Sequence, residues 1–178
     1  MESGVTIVTP VYNGANYIEE TVVSVLEQVY PLLEYIVVDD GSTDETAAIV
    51  KKYASRLTLL SQPNWGESAA VNAGLAVASN DLICIVNADD LILPGLIATA
   101  AGALDSDHSV VAIYPDWRMI DEHGKTLTDV WSRDYDYRMM LEEHYCIPGP
   151  GTVFRRSAFG DELVRSAGFP LNGDFEWF

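Results

Sequence analysis

The sequence has few basic residues and no long apolar segment. Lysine and arginine together number 10 against 27 aspartate and glutamate residues, which gives a formal net charge of −17. Nucleic acids and anionic membrane surfaces are bound mainly through Lys and Arg, so this balance argues against both as partners. No apolar run approaches the roughly 20 residues that a membrane helix needs. What remains is an acidic globular protein, and an anionic ligand would need a cation to offset the protein's charge.

Cysteine is scarce, and the two residues present bear on the compartment. Cys84 lies within an apolar run and Cys146 stands just before Pro148, so we expect both to be reduced core residues in a reducing compartment. Residues 1–4 carry neither the basic region nor the apolar core of a secretory signal. We therefore expect a cytoplasmic protein that associates at most peripherally with a membrane.

Several phosphate-binding and catalytic motifs are missing. Neither the Walker pattern GxxxxGK[ST] nor GxGxxG occurs, so phosphate is not held by either of those glycine-rich loops. The sequence has no zinc-ligand spacing of His and Cys and no GxSxG nucleophile elbow. Each of His108, His123 and His144 stands in a polar or turn context, where we expect surface side chains. Serine and cysteine hydrolases are therefore disfavoured.

Apolar runs alternate with helical spacings along the first part of the chain. We expect strands at 5–8, 35–38, 57–60, 82–86 and 110–114. The segments between them carry apolar residues at helical spacing. This alternation is typical of a doubly wound α/β domain with a mostly parallel sheet flanked by helices.

The ends of the early elements carry local signals. Pro10 is expected to end the first strand, because proline cannot donate to a central ladder. Asn16 and Glu19 have the spacing of a capping box for the first helix. Ser42 or Thr43 is expected to cap the second helix.

The rhythm changes after Tyr114. The residues 117–127 predict a hairpin with a turn at Glu122-His123-Gly124-Lys125. A helix is expected at 135–144 and a further strand at 151–155, followed by a helix from Ser157. We infer a smaller hairpin and helix region attached to the main sheet.

Two predicted strands end in paired carboxylates. Asp39-Asp40 follows the strand at 35–38, and Asp89-Asp90 closely follows the strand at 82–86. Ligands of open α/β sheets bind beyond the carboxyl ends of the strands. Adjacent acids repel each other unless a cation is present, and Mg²⁺ and Mn²⁺ prefer carboxylate oxygens and bridge phosphates. The two acid pairs therefore favour a site in which a metal holds a diphosphate. The alternative is that the acids only cap the following helices.

Several blocks, in this order along nearly the whole chain, resemble family 2 glycosyltransferases. They are 9–14 (TPVYNG), 37–44 (VVDDGSTD), 64–66 (NWG) with 72–74 (NAG), 87–90 (NADD) with Pro94, and 151–157 (GTVFRRS). The resemblance implies the GT-A fold, a Rossmann-like, mostly parallel sheet, as a single domain over residues 1–178. It further implies a nucleotide-sugar-binding half, 1–114, and an acceptor-side half, 115–178, which we expect to be truncated at its C-terminal end.

The resemblance implies that a nucleotide-diphosphate sugar is held at the strand ends and at the start of the third helix. Its binding residues would be Thr9, Pro10, Tyr12, Asp40, Gly66, Asn72, Asn87, Ala88 and Asp89. Asp40 would bind a uracil-type base edge or the ribose, and UDP is the expected nucleotide. Asp89 matches the second acid of the family's DXD motif and would ligate Mn²⁺ or Mg²⁺. Asn87 stands where the first acid is expected and lacks its charge.

The resemblance also implies an inverting transfer to an acceptor hydroxyl, saccharide or lipid-linked, in polysaccharide or cell-envelope biosynthesis. Asp174 matches the catalytic base, with Glu176 as runner-up and Trp177 beside it as a sugar-stacking ring. On local grounds alone, Asp174 would instead be expected to be a helix N-cap. Arg155-Arg156 either offsets phosphate charge or is a solvated pair.

Two other functions stay open. The chain stops at Phe178, four residues past Asp174, whereas family members usually continue. It would then be a truncated or inactive nucleotide-sugar-binding module. A nucleotidyltransferase is less favoured, because such enzymes carry basic residues in a glycine-rich loop after the first strand and residues 11–14 have none.

Overall fold

The computed structural model describes residues 2–143 and 148–160, which form one main sheet and a separate hairpin. The sheet strands are β1 Val5–Val11, β2 Leu33–Asp39, β3 Thr58–Ser61, β4 Leu82–Ile85, β5 Ala112–Ile113 and β8 Val153–Arg155, and the hairpin strands are β6 Trp117–Ile120 and β7 Thr126–Val130. The helices are α1 Ile18–Leu26, α2 Thr46–Lys51, α3 Glu67–Val77, α4 Leu96–Ser106 and α5 Tyr137–Glu143, and Arg156–Ala158 forms a 3-10 turn. No helix in the described part of the chain is long and apolar enough to cross a membrane.

Helices cover both faces of the main sheet. Alternating β1 side chains divide the core, because successive residues of a strand point to opposite faces. Val5 and Ile7 pack in a cluster that includes residues of α1, α2 and α4. Val8 packs instead with Ala70 of α3. The central strand β1 is therefore buried on both sides, as expected for a parallel sheet.

The strand order is β3-β2-β1-β4-β8-β5, and this order places the site. The first four of these strands are parallel to one another, whereas β8 runs antiparallel between β4 and β5. The chain moves from β1 out to β3 and then returns to the other side of β1 with β4. Strand order thus reverses at β1 and β4, and ligands bind beyond the carboxyl ends of strands at such a switch point.

The expectation that Pro10 ends the first strand is wrong. The strand β1 continues to Val11, and Pro10 is in register with Val38 of β2. Val8 O accepts from Val86 N on the β4 side, and Val11 O accepts from Asp40 N on the β2 side. Because backbone groups alternate sides, the missing N–H of Pro10 falls on the β4 side, where strand pairing has already stopped at Val8. Proline therefore costs no ladder hydrogen bond there.

Both predicted helix caps are also wrong. Tyr17 is the N-cap of α1 and makes no side-chain capping bond, while Glu19 accepts instead from Lys52 and Tyr53. The helix α2 begins later than expected, at Thr46, where Asp44 Oδ1 accepts from the Thr46 backbone N–H at 3.0 Å. The hydroxyl of Ser42, one of the two residues expected to cap this helix, accepts instead from Asn13 N.

The later elements follow the prediction with shifted bounds: the hairpin extends to Val130, beyond the expected 127, whereas β8 begins at Val153 rather than at 151. The hairpin of β6 and β7 is present, and α5 begins two residues after the expected start at residue 135. Arg155 and Arg156 lie at the amino end of β4, where Arg155 contacts Asp81 and Arg156 Nη1 donates to Ala78 O at 3.2 Å. They therefore support the fold at the edge opposite the carboxylate pairs. Residues from 161 onward, with the predicted helix there, lie outside the described residues.

Gly74 sets how closely α3 approaches the sheet, and this gives a stability prediction. A Cβ at this position would lie 2.4 Å from Val8 Cγ1 and 3.3 Å from Val38 Cγ2. Both valines are buried and rigid at χ1, so Gly74→Ala overpacks the core by about 1–3 kcal/mol. We expect a lower free energy of unfolding in urea, although alanine has the higher helix propensity by about 1 kcal/mol.

Gly102 of α4 is the matched control. A Cβ there meets no atom within 4 Å, so Gly102→Ala is expected to stabilise the protein through helix propensity alone. Equal effects of the two substitutions would contradict the packing account.

Candidate functional site

The carboxyl ends of β1, β2 and β4 bring the expected donor-binding segments together. Residues 9–12 end β1, Asp39-Asp40 ends β2 and residues 87–89 follow β4. A Cβ on Gly14 would lie 3.6 Å from Ala88 Cβ, so the loop after β1 contacts the loop after β4. Ala88 O also accepts from Thr21 Oγ1 of α1 at 2.8 Å. Segments far apart in sequence thus meet at one sheet edge.

Asp40 is a buried carboxylate with three hydrogen-bond donors. The residue is only 2% exposed. Its Oδ1 accepts from Gln62 Nε2 at 2.7 Å and from Trp65 N at 3.0 Å, and its Oδ2 accepts from Gly66 N at 2.8 Å. A carboxylate offers about four lone-pair positions, so one position on Oδ2 has no donor among residues 2–143 and 148–160.

The loop at 62–66, which supplies those donors, packs directly on the end of β2. Gly41 has φ +77°, and a Cβ there would lie 2.8 Å from Asn64 N. Gln62 N donates to Asp39 O at 3.0 Å. A glycine is therefore required at position 41 both for its left-handed backbone and for the close approach of the loop.

A reciprocal set of hydrogen bonds joins the loops after β1 and β2. Asn13 N donates to Ser42 Oγ at 2.9 Å, and Asn13 Oδ1 accepts from Thr43 N at 2.8 Å. Ala15 N donates to Asp44 Oδ2 at 3.1 Å. Asn13 has φ 51°, a left-handed conformation that asparagine tolerates better than most residues. The sequence predicts the turn at Asn13-Gly14, but it does not predict these hydrogen bonds between the two loops.

The end of β1 presents one exposed ring above a buried layer. Tyr12 is 51% exposed, whereas Thr9 and Pro10 are buried. Thr9 Oγ1 accepts from the Tyr35 hydroxyl at 3.2 Å, and burial raises the pKa of Tyr35 well above its usual range. Tyr12, the residue directly after β1, is therefore exposed to a ligand, whereas Thr9 and Pro10 are not.

The segment after β4 presents Asp89 to solvent. Asp89 is exposed and makes no hydrogen bond or ion pair within the described residues. Asn87 Nδ2 donates to Asp90 Oδ2 at 3.3 Å, which leaves the Asn87 carbonyl oxygen as that side chain's acceptor. Burial, and then the charge of Asp89, raise the pKa of Asp90. Asp89 is thus the carboxylate of this pair that is open to a ligand.

A divalent metal fits this donor set only together with a ligand's phosphates. Within residues 2–143 and 148–160, no group of three or more His, Cys, Asp and Glu side chains could hold a metal ion. Mg²⁺ sites commonly use one or two carboxylates plus substrate phosphates and water, and Asp89 with the Asn87 carbonyl meets that requirement.

Some of the remaining predicted residues lie in the described part of the chain, and the others lie outside it. Gly66 is the N-cap of α3, and its N–H contacts Asp40 directly. Asn72 lies half-buried in α3. Asp174, Glu176 and Trp177 lie outside the described residues, so their roles remain predictions. Sequence reasoning missed Gln62 as an Asp40 partner, and no local signal marks it.

The sequence of this chain is similar to a family model and to known glycosyltransferases. The sequence model of the family described as "Glycosyl transferase family 2" matches residues 6–162. An uncharacterized glycosyltransferase of Rickettsia prowazekii is 36% identical over 173 residues, which is 90% of this chain and 54% of that protein. Glycosyltransferase GlyG of Streptococcus pneumoniae is 38% identical over 139 residues, 76% of this chain and 46% of the relative. The chain therefore spans about half the length of these relatives.

Two solved structures share the fold. TarS 1–349 of S. aureus in complex with UDP superimposes with a TM-score of 0.77 at 22% identity, covering 97% of this chain and 53% of that one. The mannosyltransferase PcManGT of Pyrobaculum calidifontis in complex with GDP-Man and Mn²⁺ gives a TM-score of 0.69 at 27% identity, with 93% and 48% coverage.

Three findings agree on the fold: the sheet order with its switch point at β1 and β4, the likeness to these structures and the family match. The fold is GT-A, and the chain belongs to glycosyltransferase family 2.

Proposed function

We propose that this chain binds a nucleotide-diphosphate sugar at the carboxyl ends of β1, β2 and β4 and transfers the sugar to an acceptor hydroxyl with inversion. The observation that carries the proposal is the pairing of a buried acceptor, Asp40, with an exposed carboxylate, Asp89, at one switch point of the sheet. Asp40 can accept a hydrogen bond from the base, and Asp89 can meet the diphosphate. Base and diphosphate are two polar parts of such a donor.

The proposed nucleotide is UDP. Asp40 has one lone-pair position left, so it matches a base edge with a single N–H donor flanked by acceptors, as in uracil. Guanine presents adjacent N1–H and N2–H donors and would leave one of them without a partner, which costs affinity when the group is desolvated. The UDP and UDP-GlcNAc complexes of TarS add support, whereas the GDP-Man complex of PcManGT makes GDP the competing nucleotide.

Asp89 is proposed to ligate Mn²⁺ or Mg²⁺ together with the donor's diphosphate, with the Asn87 carbonyl oxygen available beside it. A divalent ion there would supply the charge that offsets the leaving diphosphate. The neutral Asn87 limits the repulsion among the carboxylates of this segment in a chain of net charge −17. Asp90, partly buried and hydrogen-bonded to Asn87, orients that amide.

Asp174 is proposed as the general base. A carboxylate that takes the proton of the acceptor hydroxyl as it attacks the anomeric carbon contributes about 10²–10⁴-fold to the rate. Direct displacement inverts the anomeric centre and needs no covalent nucleophile. Donor binding without transfer is the second candidate function, since the chain spans about half the length of its relatives.

The donor site is tested by calorimetric titration of UDP, GDP and dTDP, each with and without Mn²⁺. We expect the metal to tighten UDP binding and Asp89→Ala to abolish that difference while the protein stays folded, because the variant lacks the exposed carboxylate. Glu122→Ala removes an exposed carboxylate from the tip of the β6–β7 hairpin and is expected to bind as wild type. Equal UDP affinity with and without Mn²⁺ in the wild-type protein would overturn the metal assignment.

The transfer step is tested by Asp174→Asn. This variant is expected to retain UDP binding and to lose sugar transfer by at least about a hundredfold, because asparagine cannot accept the proton. Glu176→Gln serves as the comparison and is expected to retain transfer. Wild-type transfer by Asp174→Asn together with loss in Glu176→Gln would move the base to Glu176, and donor binding with no transfer by the wild-type chain would favour the second candidate.

A further inference from the structure

Two exposed aromatic side chains are attached to the backbone on either side of Asp40. Tyr12 is 51% exposed and follows Val11, whose carbonyl accepts from Asp40 N at 2.8 Å. Trp65 is 69% exposed, and its own N–H donates to Asp40 Oδ1 at 3.0 Å. Asp40 is therefore bonded to Trp65 on its loop side and to Val11, the residue before Tyr12, on its β1 side.

The backbone that carries Trp65 is held firmly. Hydrogen bonds to Asp39 and Asp40 fix Gln62 at one end of the segment and Gly66 at the other. Gly66 has φ +91° and begins α3, so the segment leads directly into a regular helix. A ring presented from such a segment loses little backbone freedom when a ligand orders it.

In the described part of the chain, most of the Trp65 side chain lies in water. Tryptophan is on average among the more buried residues, and its indole is a large apolar surface to leave in water. Planar bases stack well on such rings. The single lone pair that Asp40 keeps for a base edge lies on the same carboxylate that Trp65 N contacts. An aromatic base bound edge-on to Asp40 would therefore lie within reach of this ring.

We propose that Trp65 is a further donor-binding residue, whose ring stacks on a face of the nucleobase while Asp40 accepts a hydrogen bond from the base edge. This inference rests on the proposed function, since it needs a nucleotide at Asp40. It assigns binding energy to a residue of the 62–66 loop rather than to the strand ends alone. Loss of one stacking partner typically weakens binding about five- to a hundredfold.

The test is calorimetric titration of UDP with Mn²⁺ into wild type, Trp65→Ala, Trp65→Phe and Trp131→Ala. Trp131 is the matched control, because it is 72% exposed but lies after β7, in the hairpin region. We expect Trp65→Ala to bind UDP about five- to a hundredfold more weakly, Trp65→Phe to recover most of the affinity and Trp131→Ala to bind as wild type. Thermal melting of each variant is expected to match wild type, since the ring is mostly in solvent.

Tryptophan fluorescence gives a second readout that a structural role would not move. The chain has four tryptophans, and UDP is expected to quench emission in wild type and in Trp131→Phe but not in Trp65→Phe. Wild-type UDP binding by Trp65→Ala, with quenching retained in Trp65→Phe, would overturn this inference and leave the proposed function standing. Failure of the wild-type protein to bind any nucleotide would overturn the proposed function and this inference with it.

Discussion

The buried carboxylate of Asp40 is the group on which the arrangement of the site depends. A carboxylate that is 2% exposed is strongly destabilising unless its charge is hydrogen-bonded, and three N–H donors meet that need. Two of those donors are the backbone groups of Trp65 and Gly66, which lie where α3 begins and where the helix dipole favours a negative charge. Asp40 thereby joins the end of β2 to the 62–66 loop and to α3, and its own N–H joins β2 to β1.

The acids at the sheet's switch point differ from one another in burial and in hydrogen bonding. The sequence carries 27 acids, but the carboxylates at the switch point are unequal in their surroundings. Asp40 is buried and saturated except for one lone pair, Asp90 is partly buried with a raised pKa, and Asp89 is exposed. Of these three, Asp89 is the one open to the diphosphate and metal proposed above. Asn87 adds no charge to a segment that already holds the two neighbouring carboxylates Asp89 and Asp90.

The sequence supports the fold class and the location of the site, because both depend on local patterns. Apolar runs predict β1, β2 and β4, and the Asp-Asp pairs mark the carboxyl ends of β2 and β4. The errors concern features that distant contacts decide. Pro10 is tolerated within β1 because its neighbour on the β4 side has ended, and Ser42 does not cap α2 because Asn13 uses its hydroxyl. The antiparallel insertion of β8 between β4 and β5 is likewise a matter of topology, which no local propensity encodes.

The central claim is that Asp40 keeps one acceptor position for a single N–H of the base. The most direct measurement compares the affinities of UDP and of N3-methyl-UDP for the unmodified protein in the presence of Mn²⁺. The account predicts that the methylated nucleotide binds at least about tenfold more weakly, because it offers no donor and leaves a desolvated carboxylate position unpaired. Equal affinity for the two nucleotides would contradict it, and the base would then have to be recognised away from Asp40.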